Sequence, residues 1–83
     1  GKKMTIIIQH YGAFRNLGDS TALEISLPTT ISIIRMVMAA QLEGQHGLLA
    51  RDSAIANDTD ILPDAYVIEE PCVLSILPPV CGG

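Results

Sequence analysis

Residues 21–42 read TALEISLPTTISIIRMVMAAQL, and the spacing of the apolar residues changes within this stretch. The first seven residues alternate, and their apolar face consists of Leu23, Ile25 and Leu27. Alternation of this kind predicts a half-buried strand. Pro28 stops that strand, and from Ile31 onward apolar residues recur every three or four positions, which is typical of one face of a helix. Thr29 or Thr30 can cap this helix by accepting a hydrogen bond from an early backbone N–H.

The predicted helix has an apolar stripe of four residues, Ile34, Val37, Met38 and Leu42. We expect Gly44 and Gly47 to end the helix, because glycine disfavours a helix interior. Met36 and Met38 have the thioether groups that some metal sites use, but methionine at helical spacing is typical of a gap-filling core residue. Both methionines are therefore predicted to lie in the core.

Three further segments are predicted to be strands: residues 4–10, 53–57 and 72–77. The first is a β-branched run, too short for an independent helix. Residues 11–19 and 57–60 have the glycine, asparagine and aspartate typical of loops and turns. Residues 61–68 stay ambiguous, because Pro63 restricts any strand there to a sheet edge or a connection.

The order of these elements is strand, strand, helix, strand, connection, strand. In this order the first and last strands can pair in parallel at the centre of a mixed sheet, with the helix packed across one face. The sequence therefore predicts an α+β fold, the ubiquitin-like β-grasp. We expect residues 4–77 to form this domain, residues 78–83 to be a flexible reactive C-terminal tail, and residues 1–3, Gly-Lys-Lys before a methionine, to be an expression remnant.

Composition restricts the function. The 83 residues are 48% hydrophobic but only 4% aromatic, so the core is small and aliphatic and no deep pocket for a large ligand is expected. A formal net charge of −4 argues against nucleic acid as a partner. Without Lys2 and Lys3 the charge becomes −6, which favours a basic partner surface. No apolar run approaches the roughly 18 residues of a membrane span. With two cysteines and no signal peptide, we expect a cytoplasmic protein.

The residue types that usually carry out enzyme chemistry do not occur in the spacing of any known active-site or metal-site motif. His10 and His46 have no carboxylate or cysteine at ligand spacing, so no metal site is predicted. Three aspartates near the predicted turn, Asp58, Asp60 and Asp64, lack the terminal glutamate of a Ca²⁺ loop. The sequence has no glycine-rich phosphate loop and no nucleophile elbow. Cys72 is expected to be a small core residue, and Cys81 has no His or Lys beside it to activate its thiol. The chain is predicted not to be an enzyme.

The most informative segment is the last one, Pro78, Pro79, Val80, Cys81, Gly82 and Gly83. The two prolines fix two φ angles and supply no backbone donors, so they end the sheet. The two glycines have no side chains, so they can thread a narrow channel and approach the active site of another protein. The alternative is a frayed chain end without function.

These residues resemble the small subunit of molybdopterin synthase, and more broadly the thiamin-type sulfur carriers. The specific feature is the tail, Pro-Pro-Val, a small residue and then Gly-Gly, at residues 78–83. The Pro28-Thr29 entry to the helix and the Ala-Ile-Ala-Asn segment at residues 54–57 are also similar. The resemblance covers nearly the whole domain.

The resemblance implies that partner enzymes act on this chain, which itself binds no cofactor. An adenylating enzyme of the ubiquitin-activating type would use ATP and magnesium to activate the Gly83 carboxylate, and a sulfurtransferase would supply sulfur for a C-terminal thiocarboxylate. A synthase large subunit or another acceptor enzyme would then take residues 78–82 into its active-site channel. The pathway implied is molybdopterin, that is molybdenum cofactor, biosynthesis.

Three alternatives stay open. The chain could carry sulfur for thiamin, cysteine or a sulfur-containing natural product. It could also be a ubiquitin-like modifier that is conjugated to lysine through Gly83. In a simple interaction domain, by contrast, the Gly-Gly pair would be dispensable.

The last predicted strand also indicates a docking surface. Its two faces are Cys72, Leu74 and Ile76 on one side and Val73, Ser75 and Leu77 on the other. A sheet covered by one helix buries only one of these sets, and an exposed apolar patch usually marks a protein interface. We therefore expect partners to dock on the helix-free face at Val73 and Leu77, unless residues 61–68 fold over that face.

Overall fold

The computed structural model of this chain describes residues 2–79. Strand β1 (Lys3–His10) begins one residue earlier than predicted, and a 3₁₀ helix (Gly12–Leu17) occupies the predicted loop after it. The remaining elements are β2 (Ser20–Ser26), β3 (Thr29–Thr30), α1 (Ile31–Leu42), α2 (Gly44–Arg51), β4 (Ala54–Ala56), β5 (Val67–Ile68) and β6 (Val73–Leu77).

Within residues 2–79 the main sheet has four strands in the order β2-β1-β6-β4. Strands β1 and β2 pair in the antiparallel direction as a hairpin, and β1 and β6 pair in parallel at the centre of the sheet. Strand β4 pairs with β6 in the antiparallel direction, and β3 and β5 form a separate two-stranded sheet. The predicted mixed sheet with parallel first and last strands is confirmed.

The core lies between α1 and one face of the main sheet. Its buried side chains are almost all aliphatic and come from alternate strand positions and from the inner face of α1: Ile6, Ile8, Leu23, Ile25, Leu27, Ile31, Ile34, Met38, Ile55, Leu74 and Ile76. Phe14 from the 3₁₀ helix is the aromatic residue of this cluster, with an exposed fraction of 0%. The face predicted for the second strand, Leu23, Ile25 and Leu27, is therefore confirmed as the buried one.

Helix α1 begins where the sequence predicts. The Thr30 side chain accepts a hydrogen bond of 3.3 Å from the backbone N–H of Ile33, which is the expected cap. Met38 is fully buried, but Met36 is 66% exposed, so the prediction of a core position is wrong for Met36. Two residues correspond to about 200° of rotation on a helix with 3.6 residues per turn, which places Met36 on the opposite face from Met38.

Helix α1 ends at Leu42, two residues before Gly44, which has a φ of +52°. The prediction is wrong for Gly47, because this residue lies inside a second helix, α2. A Cβ atom on Gly47 would lie 2.5 Å from the carbonyl oxygen of Ala39 in α1. Glycine therefore lets α2 approach the α1 backbone closely, and here it serves packing instead of breaking the helix. Helices α1 and α2 have 12 and 8 residues, and no helix within residues 2–79 is long and apolar enough to cross a membrane.

The ambiguous residues 61–68 form a connection that closes over the start of α1. Backbone carbonyls of Tyr66 and Asp64 accept hydrogen bonds of 3.0 Å from the N–H groups of Ile31 and Ser32. These N–H groups have no partner within the helix, so the connection satisfies them. The Asp64 carboxylate also forms an ion pair of 2.7 Å with Arg35.

Candidate functional site

The segment predicted to be reactive follows the last strand of the fold. Strand β6 lies between β1 and β4, so ladder hydrogen bonds hold it on both sides. It ends at Leu77, and the chain continues directly into Pro78, which is partly buried, and Pro79, which is exposed. The base of the predicted tail is therefore fixed to the centre of the sheet.

A second contact holds Pro78 in place. Gly12 begins the 3₁₀ helix after β1 and has a φ of +57°. A Cβ atom on Gly12 would lie 2.5 Å from Cγ of Pro78. Glycine is therefore required here both by the left-handed backbone and by the proline packed against it.

We expect Gly12→Ala to be clearly destabilising and to displace Pro78. A side chain at positive φ costs on the order of 1 kcal/mol, and the clash with the proline ring adds to this cost. Thermal unfolding measures the loss, and NMR shifts at Ser75 and Leu77 report movement at the end of β6.

Gly44→Ala is the matched control for this change. Gly44 has a φ of +52°, close to that of Gly12, but a Cβ atom there meets no heavy atom within 4 Å. The control substitution therefore has the backbone cost without the clash. Equal destabilisation by the two substitutions, with no shift at Leu77, would show that the Pro78 contact is unimportant.

The two residues predicted to form a partner interface lie on the face of the sheet opposite α1. Val73 is 52% exposed and Leu77 is partly buried, while Leu74 and Ile76 between them point into the core. The ladder registers place Val73 beside Ile7 and Leu77 beside Ala54 on this face. Val73 and Leu77 therefore belong to one helix-free surface that ends at the tail.

Residues 61–68 do not close over this surface. The apolar side chains of Leu62 and Ile68 are buried in the core, and the backbone of the connection is bonded to the start of α1. Val73 remains half exposed beside it. The alternative in which the connection covers the helix-free face is therefore wrong.

We predict that Leu77→Asp or Val73→Asp weakens partner binding more than it lowers stability. Both side chains lie on the outer face, so a carboxylate there stays hydrated in the free protein but is buried without a partner in a complex. Leu74→Asp is the contrasting variant, because Leu74 is 2% exposed and its replacement is expected to unfold the domain. Affinity and melting temperature are measured for each protein. Unfolding of the Leu77→Asp protein without a selective binding defect would contradict the interface.

Four of the predicted tail residues, Val80, Cys81, Gly82 and Gly83, lie outside residues 2–79. The adenylation site at Gly83 and the channel-threading role of its neighbours therefore stay predictions. What the structure adds is the position of Pro78 and Pro79, from which these residues continue.

The side chains considered for metal or acid–base chemistry have structural roles. His10 is buried, and its Nδ1 donates to the carbonyl oxygen of Gly18 at 2.9 Å while its Nε2 lies 2.6 Å from the Thr21 hydroxyl. His46 is partly buried, with its ring centroid 6.3 Å from that of Phe14. No group of three or more His, Cys, Asp or Glu residues within residues 2–79 is placed to hold a metal ion.

Cys72 and the aspartate-rich turn are likewise structural. Cys72 is partly buried against the core, and burial raises the pKa of its thiol above the ordinary value, which disfavours the reactive thiolate. In the turn, Oδ1 of Asn57 accepts hydrogen bonds from the backbone N–H groups of Thr59 and Asp60 at 2.9 and 2.8 Å. The turn is thus organised by its own side chain, as is common for asparagine.

The sequence did not reveal two features of the site. The packing of Gly12 on Pro78 joins residues far apart in the chain, and the only signal was a glycine two residues after a predicted strand. Arg35 donates through Nε to the carbonyl oxygen of Ser53 at 2.9 Å and pairs with Asp64, so it ties α1 to two loops. A single arginine in a helix gives no indication of such partners.

The fold can be compared with solved structures. The chain is similar to the UBL domain of Dsk2 from Plasmodium falciparum, with a TM-score of 0.61 and 12% sequence identity over 92% of this chain and 100% of that one. No protein-family model and no curated protein sequence matches the chain. At this identity the likeness shows the fold alone, and it confirms the ubiquitin-like β-grasp.

Proposed function

We propose that this chain is a sulfur carrier protein that acts through the carboxylate of Gly83 in molybdopterin biosynthesis. The observation that carries the proposal is the position of Pro78 and Pro79 at the end of the central strand, directly before Val-Cys-Gly-Gly in the sequence. A folded domain that holds the base of its C-terminal segment in a fixed position, and whose last two residues have no side chains, suits a protein that several enzymes bind in turn. The ubiquitin-like fold is compatible with this role.

In the proposed reaction a carboxylate oxygen of Gly83 attacks the α-phosphorus of ATP on the adenylating enzyme, and magnesium pyrophosphate leaves. A sulfide nucleophile from a sulfurtransferase system then attacks the carbonyl carbon. AMP leaves with the electron pair of the acyl–oxygen bond, and a thiocarboxylate remains. Apart from Gly83, each group that activates a nucleophile or stabilises charge belongs to a partner enzyme.

The length of the tail constrains the partner. Four residues after Pro79 span at most about 14 Å when fully extended. An enzyme that acts on Gly83 must therefore bring its active site close to the end of β6, where Leu77 lies on the helix-free face. This proximity supports a docking role for that face, because a partner in reach of the tail is also in reach of Leu77.

Mass spectrometry tests the proposal. The chain ending at Gly83 is incubated with an adenylating enzyme, ATP, magnesium and sulfide, and its intact mass is expected to rise by the difference between sulfur and oxygen. A stable complex with a molybdopterin synthase large subunit is expected in addition. Transfer to a different small-molecule acceptor would assign another sulfur pathway, and lysine conjugates of higher mass would identify a protein modifier. Unchanged mass with adenylating enzymes of each class would overturn the proposal.

A further inference from the structure

A groove of about 320 Å³ lies between β5 and the start of β6. Three apolar side chains on its walls are substantially exposed, Tyr66 at 44%, Val67 at 50% and Val73 at 52%. Exposed apolar side chains gathered in one groove are typical of a protein-binding surface.

The backbone of β6 has an open edge in this groove. Strand β4 ends at Ala56, which pairs with Ser75, so β4 does not reach Val73 two residues earlier. The N–H of Ile7 in β1 donates a hydrogen bond of 3.2 Å to the carbonyl oxygen of Cys72. The backbone of Cys72, the residue directly before Val73, therefore faces β1. Successive residues of a strand direct their backbone groups to opposite sides. The N–H and C=O of Val73 therefore face the side that β4 leaves open, and none of the hydrogen bonds found outside the helices and strand ladders of residues 2–79 involves them.

The opposite wall of the groove repeats this arrangement. The carbonyl of Tyr66 accepts from the N–H of Ile31, so Tyr66 directs its backbone toward α1 and β3. Val67, the next residue, directs its backbone groups away from β3, and no hydrogen bond within residues 2–79 uses them. Unpaired backbone groups next to a strand are a template for an added strand.

The negative charge around the groove indicates which kind of partner segment it would bind. Residues 52–83 contain six of the nine acidic residues of the chain and no Lys, Arg or His. Two of these acids, Glu69 and Glu70, line the groove and are exposed. The lining of the groove thus combines exposed apolar side chains with two carboxylates, which is complementary to a segment that alternates apolar and basic side chains.

We infer that this groove binds an extended segment of a basic partner protein, which pairs with the free edge of β6 at Val73. Apolar side chains of the segment pack on Tyr66, Val67 and Val73, and its Lys or Arg side chains face Glu69 and Glu70. The groove lies at the start of β6, whereas the tail leaves from its end, about 13 Å away at 3.3 Å per residue. The groove is thus a second contact region, distinct from the tail, and its function does not depend on sulfur transfer.

Synthetic peptides serve as the probe for this site. The ¹⁵N-labelled full chain is titrated with acetyl-Lys-Val-Lys-Val-Lys-amide, and amide shifts are expected at Val67, Glu69, Glu70 and Val73. A peptide with glutamate in place of lysine is expected to give no such shifts. A peptide with the central lysine replaced by proline, which lacks a backbone donor, is expected to bind more weakly.

Two double variants with the same change in net charge complete the test. Glu69→Gln with Glu70→Gln is expected to weaken binding of the lysine peptide by roughly fivefold, because two exposed ion pairs are lost. Asp19→Asn with Glu24→Gln, which lie away from the groove, is expected to leave affinity unchanged. Equal weakening by both pairs, shifts that map to another surface, or concentration-dependent shifts of the protein alone, which would place a second copy in the groove, would each overturn the inference.

Discussion

Deletion of Gly83 is expected to abolish thiocarboxylate formation while leaving the melting temperature nearly unchanged. In the proposed mechanism the reacting carbonyl carbon belongs to the terminal glycine, so a chain ending at Gly82 presents its carboxylate one residue, about 3.5 Å, short of the partner's reacting groups. A misplacement of this size is sufficient to lose in-line attack. Glycine has no side chain, so its removal takes no side chain out of the core. Intact mass after activation and thermal unfolding measure the two effects.

Gly83→Ala is the companion to the deletion. It preserves the length of the chain and adds one methyl group at the position that, in the proposed mechanism, enters the narrow channel of a partner. We expect this variant also to lose sulfur transfer with an unchanged melting temperature. Full thiocarboxylate activity of the deletion protein would contradict the carrier function proposed for Gly83, because the terminal carboxylate of Gly82 would then serve equally well.

Phe14→Ala is expected to cause the largest loss of stability among substitutions of single core side chains by alanine. Removal of a buried phenylalanine side chain costs about 3 to 5 kcal/mol. A domain of this size has a free energy of unfolding of about 4 to 12 kcal/mol, so the loss is between about a quarter and the whole of that free energy. Phe14 is fully buried, with its ring centroid 6.4 Å from that of His10. Urea denaturation followed by circular dichroism measures the change.

Two control substitutions test whether the loss of stability comes from the buried phenylalanine ring. Phe14→Leu keeps most of the apolar volume and is expected to cost much less. Tyr11→Ala, three residues earlier, removes a ring that is 39% exposed and is expected to have a small effect. Similar losses for Phe14→Ala and Tyr11→Ala would show that the 3₁₀ helix does not contribute a core residue in solution.

The local elements and the order of the strands could be predicted from the sequence because each depends on neighbouring residues. Alternation at residues 21–27 and three-to-four spacing from Ile31 report directly which side chains face the core. The parallel pairing of the first and last strands follows from the element order once a helix must cover one face. Of the two threonines predicted as possible caps, Thr30 caps the helix, and a cap could be predicted because it depends on a side chain and an N–H only three residues apart.

Most of the features that the sequence did not reveal are contacts between particular residues far apart in the chain. The sequence does not show that Gly47 packs on Ala39, so a glycine between two predicted elements was interpreted as a break. Met36 was assigned to the core by residue type, although its position on the helix placed it on the outer face. The open edge of β6 at Val73 arises because β4 pairs only with residues 75–77, which is a property of the pairing and not of either strand alone.

The central position of β6 has a consequence for the time at which the domain folds. Residues Ile7 and Val73 pair although 65 residues lie between them, and β4 joins the main sheet only through β6. Contacts so distant in sequence form only after the cost of closing a long loop has been met. During synthesis on the ribosome, the hairpin and α1 therefore emerge with no completed sheet, and cooperative folding must wait for residue 77. A folded domain is thus always one whose final strand, β6, has already been made.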